Sequence, residues 1–422
     1  MVEVLEKVIK ELPDCLVEAA ITREELESVK VENNKVSGID SGESIKLEVR
    51  VTKGLRSAYA WTNNLNKWRE CTHRAKKLMK ASSKLKTKPL VNTKTRSNKS
   101  YTHPGINKEI IFLKEKAEEV IKSANELRVN VSESIINKSL AKGCFLNSNN
   151  TSYKQEQSSV RLELEMSSGD SSAWDLKTSQ GPSLNYQGIA RRNAQLCLDS
   201  MKAGRLKTGL FDVVFDYRAM TNLLKILTPS LLANNVIEDK SYLQGRVGEK
   251  VISPLLSIKD VGALPDGVHN QLMDAEGTKV KNKYLFNKGV LKQFLNDLYT
   301  ASRMNKEPTG NSAGLMMRGL VSNNYLVIEP GDADKEEMLN DCLYVNSLMG
   351  THTANTVSGD FALNALNTFQ YKDGERKPLR DLMISGNIFQ LFKNAVMISK
   401  ESRFEDEVKT PLIRFKDVQV VG

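Results

Sequence analysis

The sequence predicts an α+β fold in two domains, on three observations. Strict alternation marks half-buried strands, clearest in "SIKLEVRV", where Ile45, Leu47, Val49 and Val51 share a face. Apolar stripes of helical period, such as Ile110, Leu113, Ala117, Val120 and Ala124, mark helices lying on a sheet. A polar, glycine-containing break, "KAGRLKTG" at 202–209, separates a half rich in both patterns from a half that is mostly strands and hairpins. At 422 residues the chain exceeds what one core comfortably serves. The expected division is an N-terminal α+β domain over 1–205, with helices packed on a mainly antiparallel sheet, and a C-terminal β-rich domain over 206–422.

The elements follow in order. Residues 2–12 carry charged and apolar residues at helical spacing. Strands fill 26–61, with Lys53-Gly54 turning "SIKLEVRV" into "LRSAYAW". A basic helix then fades into the Ser/Thr/Lys/Asn loop "SSKLKTKPLVNTKTRSNKSYTHPG", and a long helix begins near Ile106. Val160, Leu162, Leu164 and Met166 alternate as a strand, and Ala190, Ala194, Cys197 and Met201 give a helix over 187–201. In the second half "YLFNKGVLKQFL" and "FQYKDGERK" read as hairpins, and "NNYLVIEPG" and "PLIRFKDVQVVG" as strands. Helices interrupt at 220–235 and 387–396. So many short strands suggest a sandwich or a barrel.

Composition narrows the function. There is no signal-like start and no run near the roughly 20 apolar residues of a membrane span, so a cytoplasmic protein is expected. Five dispersed cysteines without a CxxC pair suit buried, reduced thiols. Residues 67–99 hold twelve Lys or Arg against one acid, Glu70, which accounts for the whole net charge of +10. That run fits either a solvated helix face with a Lys-rich loop or an electrostatic contact with nucleic acid or an acidic partner.

The densest cluster of chemistry-bearing residue types is "GTHTANTVSGDF" at 350–361. His352, Ser358 and Asp360 tempt a hydrolytic-triad reading, but a triad needs a base on the nucleophile, an acid behind the base and an oxyanion hole. Residues so close in sequence rarely reach that geometry, and turn and cap hydrogen bonds are the ordinary use of Ser-Gly-Asp. Asp274 and Glu276 in "MDAEGT" read as turn formers, and His269 as a surface-loop residue.

Several strings then fall into a familiar order: "KSYLQGRVGEKVISPLLSIKD", "MDAEGTKVKNKYLFNKGVLKQFLND", "PTGNSAG", "GTHTANTVSGDFALNA" and "LMISGNIFQLF". This succession resembles the TldD/PmbA family, once described as modulators of DNA gyrase. "GLRSAYAWTNNL" and "NSNN" extend the likeness to the first half. The resemblance implies an α+β N-terminal domain and a strongly curved, barrel-like C-terminal β domain. It implies zinc peptidase chemistry, carried by an HExxxH motif and a later cysteine, in TldD-type subunits. PmbA/TldE-type subunits lack the motif and pair with TldD to cleave unfolded or extended peptides.

Aligning Leu223-Leu224 with the family's pre-motif residues puts Lys225, Ile226 and Ser230 at the His, Glu and His positions. No other register supplies ligands, because 220–235 contain no His, Glu, Asp or Cys, and no cysteine follows Cys342. The "SKESRFEDEVKTP" region offers only acids, expected in a solvated loop. The sequence therefore resembles the PmbA/TldE type, with no catalytic residue and no metal of its own. Zinc is expected in a TldD-like partner, or the chain pairs with itself. Groove positions suggested by the resemblance and by residue type are Thr309, Gly310 and Asn311, and Gly350, Thr351, His352, Ser358, Gly359 and Asp360. A nucleic-acid-binding or gyrase-related protein acting through 67–99 is the other reading.

Overall fold

The computed structural model describes residues 1–92 and 94–422. The first half builds one sheet from β1 (Leu16–Glu32), β2 (Lys35–Lys53), β3 (Arg56–Thr62), β4 (Arg96–Tyr101), β5 (Asn130–Asn147), β6 (Ser152–Ser168) and β7 (Ser171–Ser179). Its order is β3-β2-β1-β5-β6-β4, with β7 also on β6. Every pairing is antiparallel except that of β4 with β6. Four helices cover it: α1 (Val2–Glu11), α2 (Trp68–Ala81), α3 (Ile110–Glu126) and α4 (Tyr186–Asp199).

The long strands serve two cores at once. Val17, Ala19 and Ile21 of β1 pack with Leu5, Val8 and Cys71 under α1 and α2. Val29 and Val31 of the same strand pack with Leu113, Ala117, Ala190 and Ala194 under α3 and α4. Each fully buried Val, Leu or Ile among them contributes about 1.5–3 kcal/mol. All five cysteines are buried and unpaired, as their dispersal predicts.

The second half supplies β8 (Gly209–Phe215), β9 (Ile258–Val261), β10 (Lys283–Asn287), β11 (Val290–Leu291), β12 (Tyr325–Ile328), β13 (Cys342–Met349), β14 (Asp360–Lys372), β15 (Glu375–Leu379), β16 (Leu382–Asn387), β17 (Ala395–Glu405) and β18 (Val408–Val421). Its helices are α5 (Tyr217–Leu227), α6 (Ala233–Ile237), α7 (Leu298–Met304), α8 (Lys335–Met338) and α9 (Ile388–Lys393). Five strands, β8-β18-β16-β14-β13, close on themselves because β8 pairs with both β18 and β13. Closure removes the free edges these five strands would have as an open sheet, and the remaining strands extend outside the ring. Its core joins Phe215, Leu363, Ile384 and Phe415 to Met220, Leu223 and Leu227 of α5 and to Phe389 and Phe392 of α9.

Some expected elements differ. The helix read over 220–235 is three pieces: α5 stops at Leu227, residues 228–231 form a 3-10 turn, and α6 follows. Pro229 has no N–H to continue the ladder. The helix read over 387–396 ends at Lys393, because Ala395 already pairs with Phe415 in the sheet. The helix expected near Ile106 starts at Ile110, after a 3-10 turn at 104–107. "SKESRFEDEVKTP" is not a solvated loop. It is the β17–β18 hairpin, turning at Asp406 with φ 57°, and its Glu405 is buried beside Lys177 of β7.

The Lys-rich loop is pinned as well. It runs as a strap from the β2–β3 turn onto α7: Leu85 N–H donates to Leu55 O (2.6 Å), Leu90 N–H to Leu298 O (3.2 Å), and Ser302 Oγ to Lys88 O (2.8 Å).

Candidate functional site

Where the two sheets face each other, charged residues are buried rather than solvated. Glu18 of β1 and Arg50 of β2 are cross-strand partners on the face opposite the α1–α2 core. Arg50 grips Glu18 with two bonds, Nε to Oε2 at 2.8 Å and Nη2 to Oε1 at 2.7 Å. The same guanidinium reaches Glu276 of the second half at 2.5 Å. Arg318 closes the ring, 2.7 Å from Glu276 and 2.5 Å from Glu18. Side-chain exposure in this quartet is at most 3%. Such burial is tolerable because two acids meet two bases with paired geometry. The second Glu276 oxygen accepts Leu298 N–H at 3.0 Å, at the start of α7. Burial would raise the Glu18 carboxyl, but the two guanidiniums outweigh it and hold it below its usual range. Burial, with Asp297 adding to it, pushes Glu276 up against the same two arginines.

A second buried layer lies beside the quartet. Asp274 accepts N–H groups from Glu276, Thr278 and Ser312, at 2.9–3.0 Å. Burial first, then the charge of Glu276, pushes its carboxyl up to about 8. Asp274 and Glu276 do form the expected turn, with Gly277 N–H donating to Asp274 O, and both are buried there as supports. Asp260 of β9 accepts Lys283 Nζ (2.7 Å), Asn324 Nδ2 (2.7 Å) and Asn311 Nδ2 (3.2 Å). Lys283 spends its remaining donors on Lys281 O and Thr309 O.

On these layers sits a cleft of about 390 Å³ between the two halves. One wall is the first sheet: Thr22, Gly143 and Gln155 form a row across β1, β5 and β6, and Ala141 pairs with Gln157 beside it. The small residues leave room; a Cβ at Gly143 would meet nothing nearer than 3.9 Å. The opposite wall brings His269, Gln271, Ser312, Asn323 and Asn324, with Glu407 from the β17–β18 hairpin. Five carboxamides therefore line the cleft: Gln155, Gln157, Gln271, Asn323 and Asn324.

Asn323 and Glu407 also line a neighbouring pocket of about 200 Å³, together with Lys225, Pro229 and Asp406. Loss of solvation pushes the Glu407 carboxyl up, while His269 and Lys225 act to lower it. The motif-aligned positions diverge here. Lys225 faces this pocket, Ile226 lies in the barrel core, and Ser230 Oγ donates to Thr356 O at 3.4 Å. These groups do not fit a zinc ion, which takes imidazole, thiolate or carboxylate donors. Among the described residues no three His, Cys, Asp or Glu side chains group closely enough to share a metal.

The expected groove positions are not brought together. Thr309, Gly310 and Asn311 are buried beneath the cleft; Thr309 and Asn296 bind one another, and Gly310 holds φ +75° with no space for a side chain. Gly350 caps a 3-10 turn over Thr351–Thr353 after β13, in which Thr351 is half-buried and His352 exposed. Ser358 Oγ donates to Asp360 Oδ2 (2.7 Å), Asn387 Nδ2 donates to Asp360 Oδ1 (2.8 Å), and Gly359 turns at φ +87°. This is turn hydrogen bonding, and no histidine takes part in it. His269, expected at the surface, is exposed but faces the cleft.

Fold and cleft define a class: two-sheet α+β proteins whose closed five-stranded barrel meets a helix-backed antiparallel sheet across a polar cleft. The description "PmbA/TldA metallopeptidase C-terminal domain" matches residues 208–422, and "PmbA/TldA metallopeptidase domain 1" matches 17–79. The chain belongs to the PmbA/TldD family. An uncharacterized protein of Methanocaldococcus jannaschii is 33% identical over 207 residues, 49% of either chain. The metalloprotease PmbA of Escherichia coli O157:H7 is 22% identical over 233 residues, 54% of this chain and 50% of that one. The chain spans about half the length of the curated relatives it matches. Among solved structures, TldE from Thermococcus kodakarensis superposes with a TM-score of 0.89 at 25% identity, over 99% of this chain and 100% of the other.

Proposed function

We propose that this chain is a subunit without zinc chemistry of its own in a TldD/TldE-type peptidase complex, shaping the chamber and holding peptide in extended form. The observation that carries this reading is the carboxamide lining. Gln155, Gln271 and Asn323 give side-chain N–H groups to protein oxygens, and Asn324 is bonded at both ends, so the carbonyl oxygens of the first three and the amide of Gln157 are what can meet a peptide backbone read without regard to side chain. An ammonium at the motif position, Lys225, argues that zinc and its activated water come from a motif-bearing TldD-like paralogue in a heterodimer. Self-association is the other arrangement, and the sedimentation of the isolated chain separates the two. Mixing the chain with such a paralogue should produce a stable complex and chelator-sensitive cleavage of an unfolded peptide. Absence of both would remove the reading.

The basic segment supports a second reading, a contact with nucleic acid. Lys77, Lys80, Lys84, Lys86 and Lys88 are exposed along α2 and the strap. Salt-dependent DNA binding that disappears when Lys76, Lys77, Lys80, Lys84 and Lys86 are neutralised would favour it; no binding at low salt would end it.

A further inference from the structure

We propose that the groove beside α1 is a binding site for a single-chain amphiphilic anion, an apolar chain of medium length ending in a carboxylate. α1 packs on β1 and β5 but leaves the adjoining face of β6 and β4 uncovered. The result is a groove of about 760 Å³, within the size range of small-molecule sites. Its helical wall presents Val2, Leu5 and Ile9, which recur at helical spacing, and its floor adds Leu146 of β5. Strand register then sets cations around this apolar floor. Leu146 pairs with Ser152, which pairs with Arg96; Cys144 pairs with Lys154 two positions along the register.

Arg96, Lys154 and Lys10 of α1 line the groove and are exposed. Among the described residues none of the three has an ion-pair partner, whereas Glu6 is the one acid lining the groove. An apolar chain can lie along α1 while its head reaches these cations, a division that buries hydrocarbon and keeps the charge paired. A nucleic-acid backbone has no apolar body to match the floor, and a neutral lipid leaves the three cations unanswered.

The test is calorimetric titration of the full chain with monomeric sodium decanoate, with decanol and acetate as controls for head and chain. The expected result is saturable binding of decanoate, with decanol and acetate each at least tenfold weaker. In the exposed-site variant R96E/K154E, decanoate affinity should fall at least tenfold at unchanged Tm. Vesicles of phosphatidylglycerol, offered separately, distinguish a free amphiphile from a membrane surface. No saturable decanoate binding, equal affinity in the variant, or binding to the vesicles alone would overturn the proposal.

Discussion

Replacing Arg318 with Met keeps an unbranched apolar stem and removes the guanidinium from the quartet. Arg318 touches Glu18 and Glu276 at 2.5 and 2.7 Å, and its side chain is 2% exposed. Without it, two buried carboxylates share the single guanidinium of Arg50. Breaking a buried pair by removing one partner costs about 3–5 kcal/mol, a large share of a typical total near 5–15 kcal/mol. The expected result in urea unfolding at pH 7 is a loss of that size, followed by fluorescence and circular dichroism. Glu276 is already pushed up by burial. In the variant it should take up a proton readily, so the deficit should shrink as pH falls toward 5. Adding Glu276→Gln to Arg318→Met restores neutrality, and the pair should lose less than the sum of the single losses by about 1–3 kcal/mol. A loss below about 1 kcal/mol for Arg318→Met, or strict additivity, would refute the view that the four charges act as one unit.

Asp274 has the opposite sign from an ordinary carboxylate. Its pKa rises from 3.8 to about 8 on folding, so between those values the folded chain holds a proton that the unfolded chain has lost. This residue should therefore make stability fall as pH rises through that window. Asp274→Asn should flatten the slope, measured as guanidinium unfolding from pH 5 to 8; parallel curves would contradict it. Gly143→Leu should leave Tm unchanged, because the space is open, yet weaken binding of an extended peptide at least tenfold by filling the cleft. Gly310→Ala should lose roughly 2 kcal/mol or more: its φ is +75°, and a Cβ would lie 2.6 Å from Val280 Cα. A neutral outcome in thermal unfolding would show that this backbone relaxes freely.

The alternation that exposed the strands also concealed the site. In "LEVRVT" the odd-numbered residues face the α1–α2 core, so Arg50 reads as solvent-facing, while Glu18 in "LVEAAI" lies ahead of the strands expected over 26–61 although β1 starts at Leu16. A face that meets another part of the chain is indistinguishable, by period alone, from a face that meets water. The signal present was their cross-strand position, which no single strand pattern reveals. Local chemistry was legible where it closes locally: the Lys288-Gly289 hairpin, with φ values of 46° and 78°, follows from the turn residues themselves. The cleft was not, because Gln155, Gln271 and Asn324 lie far apart in sequence and converge only through the docking of two sheets. Ser, Gly and Asp at 350–361 drew notice through residue type, yet their hydrogen bonds stay within the turn and with Asn387.

The quartet and the cleft are best understood together. The cleft's two walls belong to different halves of the chain, so the distance from Gln155 to Asn324 depends on how those halves sit. An apolar interface of the same size could stabilise the pair as well, and buried ion pairs replaced by apolar residues often lose nothing. What apolar contact lacks is direction. Two guanidiniums, each held by one carboxylate from the first sheet and one from a turn of the second half, allow one alignment, since a shift of either half leaves charges buried and unpaired. Arg318 also anchors the loop that carries Ser312 and Ala313 into the cleft. The network therefore acts as a locator for the walls more than as a source of stability. On that argument an all-apolar replacement, Glu18→Met, Arg50→Met, Glu276→Leu and Arg318→Met, should keep the fold while weakening peptide binding. Retained stability with retained binding would show that packing alone sets the cleft.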